Sequence, residues 1–139
     1  MRYATTVHVA APPHVVWHVL EDLEAWPTWT ASMTELARSR TGALSVGEKV
    51  RVKQPRLPYA DWAITAVDPG SSFVWTSRAV GVVTTAVHDV AAALDGTSVT
   101  LSIDQSGPLA GVVGLLGGRT VRRYVDLEAA GLKDRAELD

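Results

Sequence analysis

"VHDVAAALDGTSVTLSIDQSGPLAGVVGLLGGRTVRRYVDLEAAGLK", residues 87–133, changes its hydrophobic period halfway along. The first part sets Val99, Leu101 and Ile103 against Thr100, Ser102 and Asp104, the two-residue alternation of a strand with one buried face. The second part spaces Val121, Val125, Leu132 and Ala136 along one helical stripe, which predicts a helix from Pro108 to Glu137. A strand hairpin feeding a long terminal helix is the frame on which the rest of the chain has to pack.

Working back from that helix, Asp95-Gly96 is a favoured pair for a two-residue hairpin turn and predicts the register. Leu94 then faces Thr97, Ala92 faces Val99, Val90 faces Leu101, His88 faces Ile103 and Ala86 faces Gln105. Cross-strand partners share a face, so His88 and Gln105 point inward with Ile103. A second turn at Val80-Gly81 pairs Phe73 with His88, Trp75 with Ala86 and Ser77 with Thr84, which brings Trp75 inside too. The five-residue turn before that strand leaves the next register open, and Trp62 and Ile64 are assigned inward by their bulk.

Ahead of these strands, "RYATTVHVA" alternates as a strand that Pro12-Pro13 stops. Helical spacing follows in "PPHVVWHVLEDLEAW", and "WPTW" ends it. "TELARSRT", "EKVRVKQ" and "DWAITAV" read as further strands, separated by "TGALSVG" and "PRLP". The order is one strand, short helices, about six antiparallel strands and one long helix, an α+β layout with a single domain over residues 1–139.

Five glycines, at 107, 111, 114, 117 and 118, crowd the start of the terminal helix. At about 100° per residue, Gly111, Gly114 and Gly118 fall within about 80° of Val121 on the inward stripe. Each costs the helix up to about 1 kcal/mol relative to alanine. They either press the backbone against the sheet or leave space for a ligand. Leu109, Val112, Val113 and Leu116 point the other way, where they are expected to cover loops, an exposed apolar patch being the alternative. Glu128 lies within the apolar stripe, where burial would raise its pKa.

Composition excludes several functions. The chain is 47% hydrophobic and 20% charged with a formal net charge of −2, which argues against a nucleic-acid partner. It has no cysteine, so thiol nucleophiles, disulfides and thiolate metal sites are out, and a reducing cytoplasm is compatible. The apolar run 108–118 is far short of the ~20 residues needed to span a bilayer, so no stable membrane insertion is expected. His14 and His18 are four apart on the first helix, but no third ligand accompanies them, and no metal or cofactor is expected. A cytoplasmic location is the default expectation, and a homodimer stays open.

Three stretches carry a family resemblance: "VHVAAPPHVVWHVLEDLEAWPTW", "DWAITAVDPGSSFVWTS", and "GTSVTLSIDQSGPLAGVVG" running into "RRYVDLEAAGLK". Over nearly its whole length the chain resembles the START-like superfamily of polyketide cyclases, lipid-transfer domains and birch-pollen-allergen proteins. The resemblance implies a helix-grip fold, with a curved antiparallel sheet wrapped around the long helix and two short helices after the first strand. It also implies an internal cavity. On that basis Trp62, Phe73, Trp75, His88, Ile103, Gln105, Gly111, Gly114, Gly118 and, at the cavity entrance, Trp29 are the expected ligand contacts, and the partner is a hydrophobic or aromatic small molecule. The alternative is an aromatase/cyclase-type enzyme with His88 as acid/base and Glu128 or Tyr59 as its partner.

Overall fold

The computed structural model describes residues 1–138. Strand β1 (Arg2–Val9) leads into helix α1 (Pro13–Glu21) and a 3-10 helix (Leu23–Thr28). Six strands follow: β2 (Glu35–Arg38), β3 (Lys49–Lys53), β4 (Ala60–Asp68), β5 (Ser72–Ala79), β6 (Val82–Ala93) and β7 (Gly96–Ser106). Helix α2 (Ala110–Glu137) closes the chain. The seven strands form one antiparallel sheet in the order β1-β7-β6-β5-β4-β3-β2, so β1 joins the last strand at one edge and β2 ends the other. This is the helix-grip architecture, with α1, the 3-10 helix and α2 on one face of a curved sheet.

Between β5 and β6 the register matches the expected one, with Phe73 opposite His88, Trp75 opposite Ala86 and Ser77 opposite Thr84. Between β6 and β7 it differs by two residues. Ala93 pairs with Gly96, so Leu94 and Asp95 form the turn, and His88 faces Leu101 rather than Ile103. Asp95 takes the left-handed conformation at φ 60°, and Gly96 is required for another reason. A Cβ on Gly96 would lie 2.1 Å from the Val9 carbonyl oxygen, so the glycine lets β1 end against the hairpin. An even slip keeps every side chain on its face, and His88 stays inward.

In β4, Ile64 pairs with Trp75 but Ala66 pairs with Val74, a bulge that inserts Thr65. Trp62 and Ile64 point inward as expected. The bulge then resets the alternation so that Val67 packs on the core and Thr65 and Ala66 face solvent.

The core lies between the sheet and the first helices. Val16, Leu20, Leu23 and Trp26 are sealed against Phe73, Trp75, Leu101 and Leu132. Trp26 donates its indole N–H to the Leu20 carbonyl at 3.0 Å, which ties the 3-10 helix to α1. At the β2–β3 edge, Arg38 grips the wholly buried Glu48 carboxylate with two hydrogen bonds, 2.5 and 2.8 Å.

Helix α2 is about 42 Å long at 1.5 Å per residue, and only its second half is buried in the core, through Glu128, Ala129, Leu132 and Ala136. Two expectations are corrected here. The amino-terminal glycines do not form a cavity wall: Gly114 and Gly118 pack on Met1, and a Cβ on Gly111 would meet nothing within 4 Å. Of the residues opposite them, Leu109 does rest on Gly81 of the β5–β6 turn, but Val112, Val113 and Leu116 stay exposed. Leu115 and Leu116 are 86% and 83% exposed, and Leu109, Val112 and Val113 are also exposed. The close helix approach occurs at Gly131, where a Cβ would lie 2.1 Å from the Trp29 carbonyl oxygen.

Candidate functional site

Because β5 to β7 and the part of β4 before its bulge keep one register parity, their inward side chains line up in rows across the sheet. Trp62, Ser77, Thr84 and Gln105 form one row, Ile64, Trp75, Ala86 and Ile103 the next, and Phe73, His88 and Leu101 the third. The sheet curves away from α2 over these rows and leaves a cavity of about 230 Å³. Trp62, Trp75, Ala86 and Ile103 line its sheet side, and Val121, Tyr124, Val125 and Glu128 line the helix side. Leu57 and Pro58 of the β3–β4 loop are exposed and also border it, which marks this loop as the rim. Tyr124 fastens the same loop to α2 by donating its hydroxyl to the Pro55 carbonyl at 2.5 Å.

The cavity is mainly apolar with polar groups towards both ends. His88 and Thr84 stand four residues apart on β6, about 13 Å at strand rise. On the Thr84 row, the buried Gln105 Oε1 has no hydrogen-bond partner. On the His88 row, the imidazole lies between the aromatic core and Glu128. Phe73 stacks on it at 4.1 Å and 9°, while Trp75 and Trp26 meet it edge-on at 5.5 and 5.6 Å.

A carbonyl can only accept, so the 3.3 Å contact to the Phe73 oxygen places the proton on His88 Nδ1. Nε2 is left as a lone pair, 3.8 Å from Glu128 Oε2. Both groups are buried, and desolvation is the largest influence on each. Desolvation pushes the His88 pKa down to about 4, although its bond to Phe73 pulls the other way. Desolvation also pushes the Glu128 carboxyl up to about 8. Near neutrality the two therefore stand as imidazole and carboxylic acid, not as an ion pair. The distance is too long for a hydrogen bond between them, so the acid O–H and the Nε2 lone pair can both serve a third polar atom.

Of the residues singled out from the sequence, Trp62, Trp75, His88, Ile103, Gln105 and Glu128 come together around this cavity. Phe73 supports His88 from behind and does not line the space. Gly111, Gly114 and Gly118 lie beyond it. Tyr59 is 51% exposed and hydrogen-bonds Glu35, so it is no partner for His88. Trp29 packs against Trp26 at 5.2 Å with the rings tilted by 49°, and borders a separate pocket of about 120 Å³ with His18, Asp22 and Arg135. Met33, Ser77, Thr84 and Tyr124 line the cavity without having been expected there. Ser77 and Thr84 follow from the β5–β6 register, whereas Tyr124 lies off the apolar stripe of α2 and gave no signal. Among the described residues, no group of three or more histidine, aspartate or glutamate side chains could hold a metal ion. No helix among them is long and apolar enough to cross a membrane.

A seven-stranded helix-grip sheet with a partly open cavity under its long helix defines a class of small-molecule-binding folds. Residues 1–137 match the family model described as "Polyketide cyclase / dehydrase and lipid transport", and the chain belongs to that family. Solved structures agree in fold. The Zhui aromatase/cyclase from Streptomyces sp. R1128 is 19% identical at a TM-score of 0.79, over 99% of this chain and 93% of its own. A START superfamily protein from Mycobacterium smegmatis is 19% identical at 0.74, over 99% and 97%. The di-domain aromatase/cyclase BexL from the BE-7585A biosynthetic pathway is 15% identical at 0.77, over 99% of this chain and 50% of that one. A search of the curated proteins found no match.

Proposed function

We propose that this protein binds a hydrophobic, aromatic small molecule with a polar group at each end, held in the cavity between the sheet and α2. The observation that carries this reading is the cavity itself, about 230 Å³ with Trp62 and Trp75 on its wall. An engineered cavity of about 150 Å³ holds benzene, so this one has room for a molecule of one or two rings. The polar ends would be met by Glu128 and His88 in one row and by Gln105, Thr84 and Ser77 in the other. Burying such a ligand without a partner for its polar atoms would cost more than its apolar area returns, so these groups set specificity. Native mass spectrometry of freshly purified protein tests the reading. A co-purifying small molecule that is lost on Ala86→Leu supports it, and protein of bare chain mass that takes up no added aromatic compound overturns it.

The His88–Glu128 arrangement favours a second reading, an enzyme of the aromatase/cyclase kind. His88 Nε2 would take a proton from the carbon beside a carbonyl while the Glu128 acid donates to the carbonyl oxygen, giving the enol that aldol cyclisation or dehydration requires. Deuterium exchange at the α-carbon of an aryl methyl ketone in heavy water separates the two readings. Exchange above the buffer rate that His88→Ala removes supports catalysis, and exchange at the buffer rate leaves binding alone.

A further inference from the structure

Among the described residues, the amino-terminal end of α2 gathers several of the exposed large hydrophobic side chains. Leu109, Val112, Val113, Leu115 and Leu116 are all exposed within two turns of helix. Val80, at the tip of the β5–β6 turn, is 92% exposed and adjoins them, because the Leu109 amide donates to the Gly81 carbonyl at 2.9 Å. These six side chains form one contiguous apolar tip, of a kind soluble domains keep for a partner or a membrane surface.

The charges beside the tip have one sign. At about 100° per residue, Arg119 and Arg123 fall on either side of Val112, about two and three turns further along the same face of α2. Arg122 lies beside Leu115, and Arg78 stands at the end of β5 before the turn. All four arginines are exposed, and among the described residues none of them forms an ion pair. No acidic residue occurs between Asp104 and Asp126. Asp104 stands opposite Arg2 in the sheet, and Asp126 already accepts a 2.6 Å hydrogen bond from the Tyr3 hydroxyl.

We propose that this apolar tip with its arginine collar docks the protein onto the surface of an anionic phospholipid bilayer. Leu115, Leu116, Val112 and Val80 would sink into the boundary between headgroups and acyl chains while the arginines meet lipid phosphates. The formal net charge of −2 gives no general attraction, so the local collar has to supply it. A second copy of the chain fits less well. A two-fold interface centred on this tip would bring the arginines of one copy against those of the other.

Co-sedimentation with extruded vesicles tests this on the full chain. Vesicles of three parts phosphatidylglycerol to seven parts phosphatidylcholine are expected to bind the protein, and pure phosphatidylcholine vesicles to bind it at least tenfold more weakly. The double variant Arg119→Gln/Arg123→Gln should lose about twenty-five-fold in partitioning at low salt, from about fivefold per arginine. Leu115→Ser/Leu116→Ser should lose binding at any salt. Both variants change only exposed side chains, so far-UV circular dichroism and melting temperature should match the wild type. Equal binding to both vesicle types, or unchanged binding by the leucine variant, overturns the proposal. So does a concentration-dependent dimer in sedimentation velocity that the leucine variant abolishes without any vesicle binding.

Discussion

Replacing Glu128 by glutamine tests the chemical state of the cavity's inner end. Burial holds the carboxyl near pKa 8 in the folded protein against 4.5 ordinarily, so folded protein binds the proton more tightly than unfolded chain. The resulting stability is complete below about pH 4.5 and is lost as pH rises towards 8. At 1.36 kcal/mol per pH unit, the 2.5 units from 4.5 to 7 cost about 3 kcal/mol, and the full interval to 8 about 5 kcal/mol. His88 has the opposite slope. Its depressed pKa of about 4 means stability is full above 6.5 and falls as the solution is acidified through that window. The Glu128→Gln variant keeps His88 and the side-chain shape but cannot ionise, so subtracting the two pH profiles isolates Glu128. Urea unfolding from about pH 5 to pH 9 should show the variant gaining on the wild type by several kcal/mol with rising pH, about 10 °C in melting temperature. A difference that stays flat over that range would mean that Glu128 is already ionised in the folded protein, and the neutral acid and imidazole pair would be wrong.

Two further substitutions probe the scaffold. Gly131→Ala places a methyl group 2.1 Å from the Trp29 carbonyl oxygen, which is backbone and cannot swing away, so urea unfolding should show a loss of at least about 2 kcal/mol despite alanine's better helix propensity. Arg38→Ala strands the fully buried Glu48 carboxylate and should cost about 3–5 kcal/mol, while the double variant Arg38→Met/Glu48→Leu should recover most of it, as followed by thermal unfolding at neutral pH.

Strand parity was legible because it needs only alternation and the place of a turn. Val80-Gly81 was read correctly, and the Gly96 misreading moved β7 by two residues without turning His88 outward. What alternation could not reveal was why Gly96 is a glycine, since Val9 comes from the other end of the chain. The helix stripe was equally readable around its axis and unreadable along it. Gly114 and Gly118 do lie on the inward side, but a 28-residue helix outruns the cavity, and Met1 rather than a ligand space faces them. Glu128 stood out as a carboxylate within an apolar stripe, yet its distance to His88 depends on how the sheet curves. Arg38 and Glu48 carried no pattern at all, because their pairing arises from a strand edge and a loop ten residues apart.

The most direct measurement is titration of the protein with 2-naphthol, a two-ring compound with one hydroxyl, followed by calorimetry and by the chain's tryptophan emission, to which Trp62 and Trp75 on the cavity wall contribute. Saturable binding at one molecule per chain is expected in the wild type. Ala86→Leu, which projects a larger apolar side chain into the cavity from the middle row, should weaken binding at least tenfold with no loss of melting temperature. Absence of saturable binding in the wild type, or equal affinity in Ala86→Leu, would contradict a ligand space between the sheet and α2.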